Sequence, residues 1–176
     1  MRLSPRDRRA AFATRASRCA GFSLIELAVV VGIISIVAAI AVPVATHLIL
    51  QARSAAVEND LRVFSAAFQA YANEHGDWPP GDGTPAAFPD GMAGYLSETN
   101  WTNRTPIGGY YAWDPNSTQQ GSRYRAAIVI ASTDDSAVTS DRLQLVDLDR
   151  KLDDGELTTG NFLLGYRNEP VYVLEH

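Results

Sequence analysis

Two hydrophobic patterns follow one another along the first half of the chain. Residues 27–45 form a run of nineteen side chains without a charge, close to the ~20 that a helix needs to cross a bilayer. After this run, apolar residues recur at alternating spacings of four and three, the period of one helix face. These positions are Val57, Leu61, Phe64, Phe68 and Tyr71. We therefore predict one helix over residues 24–74, apolar on every side in its first half and amphipathic in its second.

The second half of the chain predicts a small antiparallel sheet. Pro and Gly recur through residues 77–122, so we expect loops there, with one helical turn at residues 92–96. A short amphipathic helix begins at residues 140–141 and carries Leu143, Val146 and Leu148 on its apolar side. Short apolar runs between turn residues predict four strands, the last two as a hairpin: residues 109–113, 123–132, 162–166 and 171–174. The predicted fold class is α+β, a long N-terminal helix packed on a small antiparallel β-sheet.

Charge divides the chain into three segments. Residues 1–21 contain six Arg and one Asp, a net charge of +5, whereas residues 22–50 contain one ionised side chain, Glu26. Since the whole chain has a net charge of −5, residues 22–176 carry −10. We predict a basic leader at 1–21, a transmembrane half of the helix at 22–50 and a globular domain at 51–176. The positive-inside rule places the leader in the cytoplasm and the domain across the membrane.

Composition excludes several classes of function. An acidic domain lacks the clustered Lys and Arg that bind phosphates, so we expect no nucleic-acid partner. Cys19, in the leader, is the only cysteine, which leaves no zinc cluster, redox pair or thiol nucleophile in the rest of the chain. The histidines are His47, His75 and His176, and none stands among residues that would complete a catalytic or metal site. We therefore predict that the chain is not an enzyme.

A secretory signal peptide is the simplest alternative for the N-terminal segment. Residues 39–41 read Ala-Ile-Ala, which fits the small-residue cleavage pattern of such peptides. The apolar segment at residues 22–50 is longer than their hydrophobic region, however, it continues past residue 41, and it contains the carboxylate of Glu26. These three features favour a membrane anchor over a signal peptide.

The junction between the leader and the apolar run has a specific sequence, Gly21-Phe22-Ser23-Leu24-Ile25-Glu26. It resembles the processing site of type IV prepilins and pseudopilins. The resemblance implies that a membrane peptidase, the prepilin peptidase, cuts the chain between Gly21 and Phe22 and methylates the new amino group of Phe22. It also implies that Pro43 corresponds to the proline at which helices of this family kink.

Glu26 has an additional role if the resemblance holds. A carboxylate near the bilayer core costs about 2.5–3.5 kcal/mol, so it should have a partner, and we find none within the predicted span. The resemblance implies that its partner is the amine of Phe22 in a neighbouring subunit, a pair that sets the axial register of a filament. The alternative is that Glu26 lies at the cytoplasmic surface of the membrane and reaches water.

Other segments resemble the major pseudopilins of type II secretion systems: residues 59–80, 106–109, 113–114, 153–155 and 159–162, and Trp101. Type IV pilins commonly close their C-terminal region with a disulfide, which a single cysteine cannot form. The resemblance implies a single-pass protein of the bacterial inner membrane whose periplasmic domain polymerises into a pseudopilus. Its implied partners are further copies of itself, minor pseudopilins and an inner-membrane assembly platform. A type IV or competence pilin, and a membrane-anchored binding domain that uses the aromatic loops, remain alternatives.

Clustered acidic residues make Ca²⁺ the one candidate cofactor. Calcium takes six to eight oxygen ligands, and Asp beside Gly is compatible with such a site. The spacing D-x-D-x-D-G does not occur, however, and Asp-Asp-Gly is also an ordinary turn. The sequence is compatible both with a calcium site and with an ordinary turn. The candidate ligands are Asp134 and Asp135, and a later group of Asp147, Asp149, Asp153, Asp154 and Glu156.

Overall fold

The computed structural model describes residues 22–176, so the predicted leader, with Gly21 and Cys19, lies outside the described residues. The chain divides into two compact units, one that ends at Val42 and one that comprises Pro43–His176. The predicted domain boundary at residue 50 stays a prediction. A single helix, α1 (Leu24–His75), begins in the first unit and ends in the second, as the hydrophobic pattern predicts.

In the first unit, α1 exposes apolar side chains on all sides. Every described residue from Phe22 to Val42 is exposed, including Leu24, Ile33 and Ile40. Of the described helices, α1 is the one whose length and composition suffice to cross a membrane, and its most apolar window is not buried in the protein. This part of the helix therefore has the surface of a segment that lies in lipid or against other chains.

In the second unit, α1 buries the predicted apolar face. Val57, Leu61, Phe64 and Phe68 are at most 1% exposed, and Tyr71 is half-buried. The helix ends at His75. The next residue, Gly76, has a φ of 78°, which suits the residue that follows a helix, and its N–H donates to the Ala72 carbonyl at 2.8 Å. The amphipathic pattern therefore predicts the core face correctly.

The core of the second unit joins α1 to an antiparallel sheet. Its strands are β1 (Tyr110–Pro115), β4 (Ala126–Ala131), β5 (Phe162–Leu164) and β6 (Pro170–Glu175), in the order β1-β4-β6-β5. Two short strands, β2 (Thr118–Gln119) and β3 (Ser122–Arg123), form a separate hairpin. Because β5 and β6 pair directly, the predicted terminal hairpin is confirmed, as is the α+β fold class.

Aromatic side chains form the contact between the helix and the sheet. The Phe68 ring stacks on Trp113 of β1, with centroids 3.9 Å apart and planes at 17°. Phe64 meets the edges of Trp101 and Tyr111, with centroid distances of 5.2 and 4.9 Å. These large buried rings account for much of the apolar area that holds α1 on the sheet.

The structure differs from the predicted elements at several places, and the strand predicted at 162–166 ends at Leu164, before a 3₁₀ turn at Tyr166–Asn168. The strand predicted at 123–132 is divided, because Tyr124 N–H donates to Ser117 and Arg125 N–H donates to Glu175, which turns the chain before β4. A single turn closes at residues 92–96, as predicted, but the helix that follows, α2 (Glu98–Thr102), was not predicted. With five residues α2 has no periodicity to detect, and the burial of Trp101 holds it in place.

The predicted helix near residue 141 is α3 (Arg142–Leu152), with a different buried side. Asp141 caps it by accepting from the N–H groups of Leu143 and Gln144. This cap sets the rotation of the helix so that Leu145 and Leu148 enter the core, while Leu143 is 82% exposed. The prediction that Leu143 lies on the buried side is therefore wrong.

We expect Phe68→Ala to lower the free energy of unfolding of a chain lacking residues 1–49 by about 3–5 kcal/mol, because the ring is fully buried. The matched control is Val63→Ala on the same helix, where the side chain is 53% exposed and the loss should stay within about 0.5 kcal/mol. Chemical denaturation measures both. Equal losses would contradict the assignment of this helix face to the core.

A second prediction concerns Asp60, which accepts a hydrogen bond from the Tyr111 hydroxyl at 3.0 Å. Burial raises the pKa of the Asp60 carboxyl, and the Tyr111 hydroxyl opposes this only in part. The folded state therefore holds the proton more tightly than the unfolded state, and stability is lost as pH rises through the folded-state pKa. Asp60→Asn, which keeps an acceptor for Tyr111, should be more stable than the wild type at pH 7.

That advantage should shrink as the pH falls toward 4, because the wild-type carboxyl then becomes protonated. Denaturant titrations of both proteins across this range measure the difference in the free energy of unfolding. If the difference in the free energy of unfolding between the two proteins does not change with pH, the ionisation of Asp60 does not contribute to it.

Candidate functional site

The first turn of α1 contains a reciprocal cap that involves Glu26. Its Oε2 accepts from the Ser23 N–H at 2.9 Å, and the Ser23 Oγ accepts from the Glu26 N–H at 3.2 Å. This pair is a capping box, whose spacing S-x-x-E is readable from residues 23–26. The search of the sequence for a charged partner of Glu26 did not consider backbone N–H groups, one of which this cap supplies. The cap satisfies an oxygen of Glu26 but leaves its negative charge unpaired.

Phe22 precedes this cap and is 86% exposed. It lies four residues before Glu26, at the end of α1 where unpaired backbone N–H groups favour a carboxylate. Gly21, the other residue of the predicted cleavage site, lies outside the described residues. The predicted roles of Gly21 and Phe22 in processing stay predictions.

Pro43 lies inside α1, at the first residue of the second compact unit. A proline has no N–H to donate to the carbonyl one turn earlier, so it removes one bond from the helix ladder. The Thr46 Oγ1 donates to the Pro43 carbonyl at 2.9 Å. The predicted role of Pro43 in assembly stays a prediction.

Three carboxylates converge where α3 ends. Asp149, Asp153 and Asp154 each offer an oxygen, and these atoms lie within 4.8 Å of one another. Asp149 is in the last turn of α3, and the N–H of Asp153 donates to its carbonyl at 2.6 Å. We call these three residues the acidic cluster. All three belong to the later group of candidate ligands named from the sequence, but the sequence alone does not separate Asp149 from Asp147 and Glu156, which are not part of the acidic cluster.

Asp134 and Asp135, the other predicted ligands, are not part of the acidic cluster. They lie in the turn after β4, where the Asp135 carboxylate accepts from the Thr133 hydroxyl at 2.7 Å and the Tyr110 hydroxyl at 2.9 Å. These hydroxyl groups, Thr133 first, hold the pKa of Asp135 below its usual value. Asp135 therefore has local partners of its own.

Asp149 differs from its neighbours because it is fully buried and, among the described residues, no donor meets its carboxylate oxygens in full hydrogen-bond geometry. Burial, followed by the charge of Asp154, raises the pKa of Asp149 to about 6, and the nearby Gly155 N–H opposes this shift only in part. By contrast, the Glu156 N–H and the Thr159 hydroxyl donate to Asp154 and lower its pKa. A buried carboxylate without a donor is costly unless a cation compensates it. The residues of the acidic cluster therefore fit a hard cation such as Ca²⁺, which binds oxygen ligands.

Two glycines allow the loop after α3 to close around the acidic cluster. The chain turns at Gly155 and Gly160, with φ of 84° and 77°. A side chain at residue 160 would collide with the Asp153 carboxylate, which accepts from the Asn161 N–H beside it. The loop therefore needs glycine at residue 160 for its backbone and for its contact with Asp153.

Comparison with known proteins gives one structural match and a family match at the N-terminus. No curated protein matches it. Among solved structures, the major type IV pilin PilA1 from Clostridium difficile matches with 22% sequence identity and a TM-score of 0.48, over 73% of this chain and 98% of that chain. Residues 16–42 match the family model of the prokaryotic N-terminal methylation motif. This match confirms the resemblance seen at residues 21–26: the chain carries the N-terminal methylation motif of prokaryotic prepilin-like proteins.

We expect Gly160→Ala to be more destabilising than Gly76→Ala, although both glycines have nearly the same φ, 77° and 78°. Each substitution places a side chain in the left-handed region, at a cost of about 1–2 kcal/mol. Only residue 160 adds a collision with Asp153, since nothing lies within 4 Å at residue 76. Denaturation of the two variants measures the difference. Equal losses would mean that the contact with Asp153 adds nothing to the cost.

Proposed function

We propose that this protein is a structural subunit of a type II secretion pseudopilus, cut after Gly21, methylated on Phe22 and polymerised by helix packing to drive protein export. The observation that carries the proposal is the methylation motif at residues 16–42, which spans the junction and the exposed apolar start of α1. A subunit of this kind packs against other subunits and performs no catalysis.

The exposed part of α1 supports the proposal through its surface. Side chains such as Ile25, Ile36 and Val42 are 61–73% exposed, which is unfavourable in water along a whole helix. Two environments remove this cost: the hydrocarbon of a membrane, and the helices of neighbouring copies. A pseudopilus subunit occupies each in turn, first as an inner-membrane protein with its C-terminal domain in the periplasm and then in the filament.

The Glu26 charge supports the same proposal. Its carboxylate has a hydrogen-bond donor in Ser23 but no positive partner among the described residues. Cleavage after Gly21 would create an amine at Phe22, and the amine of a neighbouring copy would supply the missing charge. In a low-dielectric filament core such a pair selects one axial register, even where desolvation offsets most of its attraction.

The partners of the protein follow from the steps of its proposed assembly. The prepilin peptidase processes the junction, an inner-membrane assembly platform extracts the subunit, and further copies and minor pseudopilins pack beside it. A type IV or competence pilin shares the same junction and is the second candidate. The membrane-anchored binding domain is less well supported, because Trp101 and Trp113 are at most 2% exposed and belong to the core rather than to a binding surface.

We expect Glu26→Gln to abolish ordered filaments while cleavage and membrane insertion continue. Gln keeps an oxygen that can accept from Ser23 but removes the charge, and the loss of a charge does not hinder insertion. Intact mass should therefore show a chain that begins at methylated Phe22. Crosslinking through cysteines placed along α1 should lose the wild-type spacing.

The matched control is Ser23→Ala, which removes the serine hydroxyl from the cap and leaves the Glu26 charge. This variant should assemble with the wild-type crosslinks. Wild-type spacing in Glu26→Gln would show that the carboxylate does not set the register. An uncleaved chain in the wild type would contradict the proposed processing itself.

For the acidic cluster we propose Ca²⁺ as the bound cation, with Asp149, Asp153 and Asp154 as carboxylate ligands. The cation would compensate the buried Asp149 charge and join the end of α3 to the following loop. Its role in a filament subunit is structural: it holds the loop that leads into β5, so that the surface of the domain keeps one shape.

We expect Ca²⁺ at about 100 times its dissociation constant to raise the free energy of unfolding by about 2.7 kcal/mol relative to chelator. Asp149→Asn should abolish this gain. In chelator the same variant should be no less stable than the wild type, because it replaces a buried unpaired charge by a neutral amide. Asp134→Asn, outside the cluster, should keep the full gain. A calcium response that survives in Asp149→Asn would exclude this site.

A further inference from the structure

A cavity with two exposed carboxylates lies along the outer edge of β1. The loop at residues 80–90 follows this strand, and the N–H groups of Gly83 and Ala86 donate to carbonyls of β1 at 3.0 and 2.9 Å. The loop and β1 together line a cavity of about 380 Å³, which we call the loop cavity. Asp82 and Asp90 are among its lining residues, and both side chains belong to exposed residues.

The lining of the loop cavity suits a guanidinium group. Neither carboxylate takes part in an ion pair within the part of the chain that the structure describes. Hydrogen bonds from Thr84, its hydroxyl first and its N–H second, hold the pKa of Asp82 below its usual value. Most of the other lining side chains are apolar, and the half-buried Phe88 is one of them. A guanidinium donates to carboxylates along its edge and packs its flat faces on apolar and aromatic surfaces, whereas Ca²⁺ needs six to eight oxygen ligands.

The opposite edge of the sheet carries an exposed arginine. The turn at Tyr166–Asn168 joins β5 to β6, and β5 is the edge strand farthest from β1 in the order β1-β4-β6-β5. The Glu169 N–H donates to the Tyr166 carbonyl at 3.2 Å and closes this turn. Arg167, at its centre, is exposed and takes part in no ion pair among the described residues. The turn therefore holds a free guanidinium at the surface of the domain.

Arginine is an unusual residue for the backbone at position 167. Arg167 and Asn168 both have positive φ, 61° and 59°, as in a hairpin turn that favours Asn, Asp or Gly at its first central position. A long side chain there adds strain that glycine would avoid. The neighbouring Tyr166 is 75% exposed, and Tyr and Arg are among the residue types that contribute most to protein interfaces. Residues 166–167 are therefore better suited to contact another molecule than to stabilise their own turn.

Charge identifies a second copy of the chain as that molecule. Residues 22–176 carry a net charge of −10, so two copies repel one another unless their contact brings opposite charges together. Arg167 and the loop cavity form such a pair. They lie at opposite edges of one sheet, roughly 14 Å apart at ~4.8 Å for each strand spacing, and so they meet only between copies. A contact between two different surfaces of identical subunits is heterologous and can repeat along a filament.

We propose that Arg167 of one copy enters the loop cavity of a neighbouring copy in the filament. Its guanidinium pairs there with Asp82 and Asp90, and Tyr166 packs against the rim of the cavity. The inference rests on the polymerisation in the proposed function. It adds to helix packing a contact between globular domains, which every subunit makes once with each of two neighbours.

The test crosslinks copies of the full chain that carry different single cysteines. Cleavage after Gly21 removes Cys19, so Ala87→Cys at the loop cavity and Tyr166→Cys at the turn each introduce the only thiol of the processed chain. The two variants carry different affinity tags and are co-expressed in cells that assemble the filament. A short thiol-specific crosslinker should then give mixed dimers. Either variant alone should give few dimers, because a heterologous contact brings residue 87 to residue 166 and neither residue to itself.

Substitutions of Arg167, placed in the copy with Tyr166→Cys, separate the contact from folding. Arg167→Gly should be at least as stable as the wild type in thermal denaturation, because glycine accepts a positive φ, yet it should lower the yield of mixed dimers about five- to tenfold. Arg167→Glu should lower the yield by at least as much, and Asp82→Lys with Asp90→Lys in the other copy should restore it. The matched control is Arg142→Glu, the same change at an exposed position of α3, which should keep the wild-type yield.

Three outcomes would overturn the inference. A wild-type yield of mixed dimers in Arg167→Gly and Arg167→Glu would show that the arginine is not part of the contact, as would an equal loss in Arg142→Glu. Dimers of Ala87→Cys with itself would show an isologous contact at the loop cavity. Mixed dimers that are absent while crosslinks along α1 keep their spacing would leave the proposed function standing without this contact. Loss of the α1 crosslinks as well, in otherwise unchanged chains, would contradict polymerisation itself.

Discussion

The aromatic contact between α1 and β1 is the interaction on which the rest of the globular unit depends. Phe68 stacks on Trp113 and Phe64 meets Tyr111, so two adjacent turns of the helix are fixed on one strand. β1 pairs with β4 and β4 pairs with β6, and the contact therefore positions the whole sheet along the helix. The end of α3 is joined to the same helix, because Arg62 donates to the Lys151 carbonyl at 2.8 Å.

This attachment also positions the acidic cluster at the end of α3. The Asp141 cap fixes the rotation of the helix, which turns Asp149 into the protein interior. Among the described residues, no donor meets its carboxylate oxygens in full hydrogen-bond geometry. Burial of this kind is unfavourable in the isolated chain, and the cation of our proposal would compensate it.

The apolar part of α1 depends on its surroundings in a similar way. Its side chains are exposed along the whole segment, and Glu26 has a hydrogen-bond donor but no counterion among the described residues. Lipid removes the cost of the apolar surface, and a neighbouring amine would remove the cost of the charge. An exposed apolar helix, an unpaired carboxylate and a methylation motif together fit our proposal of a subunit that is completed by assembly.

The sequence by itself determined the extent of α1, its buried face, the terminal hairpin and the junction at residues 21–26. These features can be predicted because periodicity, turn residues and a short motif each depend on residues that are close together in the sequence. Only the tertiary structure decided which carboxylates converge, because Asp149 meets Asp154 through the turn by which the chain leaves α3 at Asp153. It also decided that Leu143 is exposed while Gln144 is buried, since the rotation of α3 follows from its cap and from the core it packs against. Whether a polar atom lacks a hydrogen-bond partner depends on all the residues that surround it in the folded chain, and no pattern along the sequence predicts this.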